Sequence, residues 1–206
     1  MKAILLLALL AGLAGSPATR HAGLVDVHRY GPGIDTDIRY ATKHNVTGKR
    51  LAGYCKPWAL MLRSAARDLG AVQHDLRKHN RGLLVFDAYR PVRASQALVR
   101  WAERTGRGDL VGTYIARRSR HNLGTAVDLT LVRWSDKRKL RMGSGFDELS
   151  ARAHTYNAKG RALANRLELK HAMEGHGFTN YTAEWWHYEH SPSGSRYLDV
   201  SLGCED

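Results

Sequence analysis

The sequence predicts a single α+β domain, and three observations carry that prediction. At 206 residues, the chain beyond a leader-like start is long enough for one core of ordinary size. Segments with helical and strand periodicity alternate irregularly, and the strand candidates are short, which favours α+β over a regular parallel sheet. No internal repeat, low-complexity tract or linker interrupts residues 22–206. With 43% hydrophobic and 25% charged residues, the composition is that of a folded globular chain and not a disordered one.

The chain opens on MKAILLLALLAGLAGSPATR. A lysine at position 2, an apolar run from Ala3 to Leu13 and then small residues form the pattern of a secretory signal peptide, taken as residues 1–18. The run is too short to cross a bilayer comfortably, and no second long apolar segment follows. The expectation is an exported protein without stable membrane insertion, periplasmic, secreted or associated with the cell wall.

Next, Trp58, Leu62, Ala65, Leu69, Val72 and Leu76 recur at spacings of three and four, which predicts a helix over Pro57–His79. Pro57 suits a first helical turn, and Asn80 with Gly82 suits a stop. GLLVFDAYRP reads as a strand over Leu83–Tyr89 ended by Pro91, with Arg90 biased toward an extended backbone at its end. A helix over Val92–Glu103 and a glycine-rich turn region follow. Ala126–Val132 alternates like a strand, and a polar, basic loop, SDKRKLRMGSGFDELS, comes after it. A third helix is expected over Asn157–Gly175, burying Leu163 and Leu167. The chain then enters AEWWHYEH, rich in strand-forming aromatics.

The net charge is +13, from 32 Lys and Arg against 19 Asp and Glu. The arginines are spread over many segments instead of interleaving with aromatics as a nucleic-acid platform requires, so no nucleic acid partner is expected. In an exported protein such an excess fits electrostatic attraction to an anionic cell wall. The two cysteines, Cys55 and Cys204, can pair in an oxidising compartment. The alternative is two free thiols. Their surroundings lack the close ligand spacing of a zinc motif.

Chemistry concentrates in SRHNLGTAVDLT, EWWHYEH and FDAYRP. In the strand after Gly124, Asp128 lies on the face opposite Val127, Leu129 and Leu131. A carboxylate in a buried strand is costly unless paired or bound to a cation. Gly124 lets the chain turn so that His121 folds back toward Asp128. That motif fits a metal site, and a salt-bridged Asp explains it too. In EWWHYEH, Glu184 and His187 serve one site only if the chain bends near the glutamate. His187 then completes a His, Asp, His set, the three-ligand arrangement that leaves zinc an open position. A carboxylate outside that set, here Glu184, suits proton transfer.

S-x-H-x-x-G-x-A-x-D-L followed by E-x-W-H resembles the zinc D-Ala-D-Ala metallopeptidase superfamily, which includes the hedgehog signalling domain. Asp87, Tyr89, Arg90 and Pro91 of D-x-Y-R-P, the doubled tryptophan of EWWHY, RYATKHNVTG and MGSGFDELS are similar to the VanX-type D-alanyl-D-alanine dipeptidases, in the family's order. The resemblance implies a central, mainly antiparallel sheet flanked by helices and one Zn2+ per chain. It implies zinc ligands at His121, Asp128 and His187, a general base then acid at Glu184, and Arg90 steadying the developing oxyanion. Asp147 matches a carboxylate near the substrate's ammonium end, and Ser119 and Tyr40 match substrate-side positions. The implied reaction is hydrolysis of D-Ala-D-Ala to two D-alanines.

Two features depart from the family pattern. The connection between the helix ending near Glu103 and Ser119 is shorter than in the better-known dipeptidases, which keeps D,D-carboxypeptidase or endopeptidase action on longer stem peptides open. The leader points to wall turnover or scavenging instead of cytoplasmic resistance. A zinc-containing wall-binding domain without catalysis is a further reading, but binding alone requires neither Glu184 nor Arg90. His28, His74, His79 and His171 are expected at the surface.

Overall fold

The computed structural model describes residues 22–191 and 196–204. The expected leader lies outside the described residues. Two sheets organise the fold. β1 (Leu24–Asp26) pairs antiparallel with β3 (Leu60–Leu62), and a five-stranded sheet runs in the order β2-β4-β5-β7-β6. Its strands are β2 (Asp35–Thr36), β4 (Arg81–Asp87), β5 (Ala126–Arg133), β6 (Phe178–Asn180) and β7 (His187–His190). Only the β2–β4 pair is parallel; the others are antiparallel. Among the described residues three α-helices accompany them: α1 (Arg63–Arg77), α2 (Val92–Arg104) and α3 (Gly160–Glu174). The expected α+β class with a mainly antiparallel sheet is what the chain adopts. No helix of the described residues is long and apolar enough to cross a membrane.

β5 is buried on both faces from Ala126 to Val132, the natural result of a central position between β4 and β7. Leu69 and Val72 of α1 and Leu169 and Met173 of α3 are fully buried. Each such side chain contributes roughly 1.5–3 kcal/mol relative to exposure. His28, His74, His79 and His171 are exposed, as expected.

Two expectations need correction. The first helix does not begin at Pro57. Leu60–Leu62 is strand β3, in register with β1 as Leu24 opposite Leu62 and Asp26 opposite Leu60, and Tyr89 N–H donates to the Leu60 carbonyl at 2.7 Å. Non-local pairing outcompetes local helical periodicity there, so only the part of the stripe from Ala65 onward is helical. The second concerns α3, where Leu163 and Leu167 are half-buried while Asn165, Arg166, Leu169 and Met173 are buried. The Arg166 guanidinium donates to the carbonyls of Met142, His154 and Arg152 and to Ser144 Oγ. The helix therefore turns a partly polar face inward, toward the loop it holds.

Cys55 and Cys204 form a disulfide spanning 149 positions. It fastens a C-terminal segment that braces the site. Leu198 N–H donates to the Asn122 carbonyl at 2.9 Å, and Val200 exchanges two hydrogen bonds with the Tyr89 hydroxyl. Chain-entropy arguments assign a loop of that length about 4–5 kcal/mol. Cys204→Ser should therefore lower the unfolding free energy in guanidinium titrations by up to about 4 kcal/mol, and reductant should produce the same loss in the wild type only.

Candidate metal centre and cavity

The site is assembled from a turn, a strand and a bend. Ser119 caps a short 3-10 helix, Arg120–Leu123: its Oγ accepts from His121 N–H at 3.2 Å, while Asn122 Oδ1 accepts from Ser119 N–H at 3.0 Å. Gly124 ends this helix at φ 69°, and a Cβ there would lie 2.6 Å from Leu24 Cδ2. Only glycine allows both the left-handed backbone and the approach to β1. The chain then enters β5 with His121 turned back over Asp128.

Sheet register adds the other members. Asp128 stands opposite Asp87 of β4 on one side and His187 of β7 on the other. Glu184 N–H donates to the Tyr181 carbonyl and His187 N–H to the Glu184 carbonyl, at 2.9 and 3.1 Å. This is the bend at the glutamate that a shared site requires. The paired tryptophans lock it: Trp185 Nε1 donates to Ser144 Oγ at 2.9 Å, and Trp186 is buried against Phe146.

His121, Asp128 and His187 present one ligand atom each, all within 4.8 Å of one another, and all three are buried. His121 Nε2 is 3.1 Å from His187 Nδ1, and Asp128 Oδ1 is 2.9 Å from that Nδ1 and 3.3 Å from that Nε2. The outer ring nitrogens have partners of their own. His121 Nδ1 lies 2.6 Å from the Ala88 carbonyl oxygen, and His187 Nε2 lies 3.3 Å from Glu189 Oε1. The Ala88 carbonyl accepts only, so a neutral His121 ring carries its proton on Nδ1, whereas His187 has a carboxylate at each nitrogen, Asp128 at 2.9 Å and Glu189 at 3.3 Å. Two ring nitrogens and a carboxylate face one another across buried space. Such a convergence of acceptors needs a proton or a cation, and a nitrogen, nitrogen, oxygen set fits a divalent metal.

The charges reflect this crowding. Burial opposes ionisation of Asp128, but the two histidines hold its carboxyl well below the usual range. Burial likewise opposes the charged form of His187, but hydrogen bonds to Asp128 and Glu189 push it up to about 10 in the metal-free chain. Glu184, whose carboxyl has no hydrogen-bond partner among the described residues, is pushed up to about 8 by burial.

Arg90 is 8% exposed and donates through Nε to Asp87 Oδ2 at 3.0 Å, with Nη2 3.7 Å from Asp128 Oδ2. Its guanidinium lies 4.7 Å from the Tyr40 ring centroid. Asp87 is buried, which pushes its carboxyl up, and Tyr54 donates to it. Arg90 thus pairs with Asp87 and still borders the cavity.

Asp147 adopts φ 61° and accepts from the Tyr40 hydroxyl at 2.9 Å and from Val46 N–H at 3.2 Å. All eight residues nominated as ligands, catalytic groups or substrate contacts line one cavity of about 300 Å³. That volume is at the small end of ligand-sized clefts.

Burial pushes the Asp147 carboxyl up to about 6 despite these two hydrogen bonds. Between about pH 4 and pH 6 the folded chain therefore keeps a proton that the unfolded chain has released. Stability from this group falls as pH rises through that window. In chelated protein, Asp147→Asn should flatten the decline, by on the order of 2 kcal/mol at pH 6 after allowance for cavity water, as read from denaturant titrations at pH 4 and pH 6.

Sequence reasoning passed over three residues that shape the site. Asn122 donates to the Arg90 carbonyl at 2.8 Å, and Asn180 donates to the carbonyls of Glu184 and His187. Glu189 orients His187 and pairs with Arg120 at 3.4 Å. Glu189 was legible, since two positions along a strand share a face. The asparagines act on backbone carbonyls and leave no comparable pattern.

The peptidase M15 family model described as D-ala-D-ala dipeptidase matches residues 20–201. The chain belongs to this family. A D-alanyl-D-alanine dipeptidase of Enterococcus faecalis is 35% identical over 181 residues, covering 76% of this chain and 86% of the relative. One from Escherichia coli is 34% identical, covering 81% and 83%, and one from Streptomyces coelicolor is 32% identical, covering 82% and 93%. Membership of the D-Ala-D-Ala dipeptidase family makes the chain a peptidase.

Proposed function

We propose that this protein hydrolyses D-alanyl-D-alanine to two D-alanines, using one zinc ion held by His121, Asp128 and His187. The observation that carries the reading is the convergence of His121, Asp128 and His187 on one buried point, with Glu184 lining the same cavity. When bound, zinc supplies Lewis acidity, drawing electron density from a carbonyl and making water easier to deprotonate. Glu184 takes the proton of the attacking water and hands it to the departing amine as the C–N bond breaks. A carboxyl that burial shifts toward neutral pH suits both halves of that transfer. Arg90 donates to the oxygen that becomes negative when water adds to the carbonyl carbon. Asp147, held by Tyr40, receives the substrate ammonium, and Ser119 borders the reacting peptide.

The domain is residues 22–206, and residues 1–18 direct export. The Cys55–Cys204 disulfide supports an oxidising compartment. There the enzyme would meet dipeptide released from the wall, in turnover or scavenging, and its +13 charge would favour the anionic wall. The test is D-alanine release from D-Ala-D-Ala by the mature chain, before chelation, after it, and after zinc return. Release that zinc restores is expected. No release by metallated protein, with cleavage of a wall pentapeptide instead, would reject the dipeptide reading.

A further inference from the structure

The charged groups lining the cavity mostly have partners. Arg90 is paired with Asp87, Arg120 with Glu189, and Asp128 with both histidines. Glu184 faces the ligand group. Two groups of opposite sign remain. Asp147 is held only by neutral donors, the Tyr40 hydroxyl and Val46 N–H. Arg118, exposed at the rim beside Ser119, has no ion-pair partner among the described residues, and its guanidinium lies 5.7 Å from the Tyr197 ring centroid. Both line the cavity, Asp147 hydrogen-bonded to Tyr40 and Val46, Arg118 next to Ser119 and near the Tyr197 ring.

A free dipeptide is a zwitterion with one charge of each sign. We infer that Arg118 is a specificity-determining residue that binds the free C-terminal carboxylate of the substrate in the cavity where Asp147 takes the ammonium. The inference rests on the dipeptidase reading and deepens it. The preferred substrate class is the short peptide whose last residue has an unblocked carboxylate. A planar guanidinium offers two parallel donors to a carboxylate, and the Tyr197 ring 5.7 Å from it limits the freedom lost on binding. Because Arg118 is solvent-exposed and touches neither the ligand group nor Glu184, its effect belongs in binding and not in the chemical step.

The experiment compares zinc-loaded wild type, Arg118→Ala and Arg118→Lys on D-Ala-D-Ala and on D-alanyl-D-alaninamide, with zinc content and melting temperature measured alongside. Arg118→Ala should raise KM for the free acid roughly tenfold with kcat nearly unchanged, leave the amide's kinetics as they were, and be partly rescued by lysine. An unchanged KM for the acid, or equal shifts for acid and amide, would overturn the assignment alone. Turnover of neither compound by wild type would overturn the dipeptidase reading, and the assignment with it.

Discussion

Glu184→Gln should retain one zinc per chain while kcat on D-Ala-D-Ala falls by about 10³-fold or more. Glutamine has nearly the same shape, and the bend at this position is held by backbone bonds, from Glu184 N–H to Tyr181 and from His187 N–H to the Glu184 carbonyl. The ligand atoms should therefore stay in place, while the group that moves the proton is gone. Stability supplies a second readout. Because burial raises the Glu184 pKa to about 8, the folded chain binds this proton more tightly than the unfolded one. Its contribution is present at low pH and is lost as pH rises from the unfolded value, near 4.5, through about 8. Without metal, the glutamine variant should melt no lower than wild type at pH 8. Zinc loss as complete as in a ligand variant would make Glu184 a ligand and refute the division of roles.

His187→Ala should lose both zinc and turnover. Its Nδ1 is 2.9 Å from Asp128 Oδ1 and 3.1 Å from His121 Nε2, so its removal takes one of three donors and the closest partner of a buried carboxylate. Partners that merely orient a ligand cost about 10–100-fold in metal affinity when removed, so loss of a ligand should exceed about 10²-fold. In chelated samples the variant should also be less stable than wild type by about 1–3 kcal/mol, since Asp128 keeps His121 but loses its second imidazole. Zinc should raise the melting temperature of wild type and leave the variant unchanged, as linkage requires of a ligand that binds only one of them. Equal zinc stabilisation of both proteins would remove His187 from the ligand set.

The site was legible where chemistry stands out against the local pattern. Asp128 is a charge inside an apolar alternation, His121 is set off from it by a glycine, and Glu184 and His187 flank two tryptophans. Each anomaly survives in the structure because a buried polar side chain needs a local reason to be there. The fold was less legible where two patterns overlap. Leu60–Leu62 extends a helical stripe by spacing, and only its pairing with β1, with Asp26 opposite Leu60 and Leu24 opposite Leu62, makes it a strand. In α3, leucine spacing pointed to Leu163 and Leu167. The inward face is chosen instead by Arg166, whose partners are backbone carbonyls of a loop 12 to 24 positions earlier.

The sequence by itself determined the class of the fold, the residue types of the site and the glycine that lets His121 turn back. Those properties depend on local spacing and on the cost of burying charge. Tertiary structure alone decided that Asp87, Asp128 and His187 lie abreast on three strands, and that the His121 ring turns Nε2 toward Asp128 and His187. The physical reason is that a histidine tautomer is chosen by the acceptor on its far nitrogen. For His121 that acceptor is the backbone carbonyl of Ala88, a group every residue possesses, brought within 2.6 Å from 33 positions away.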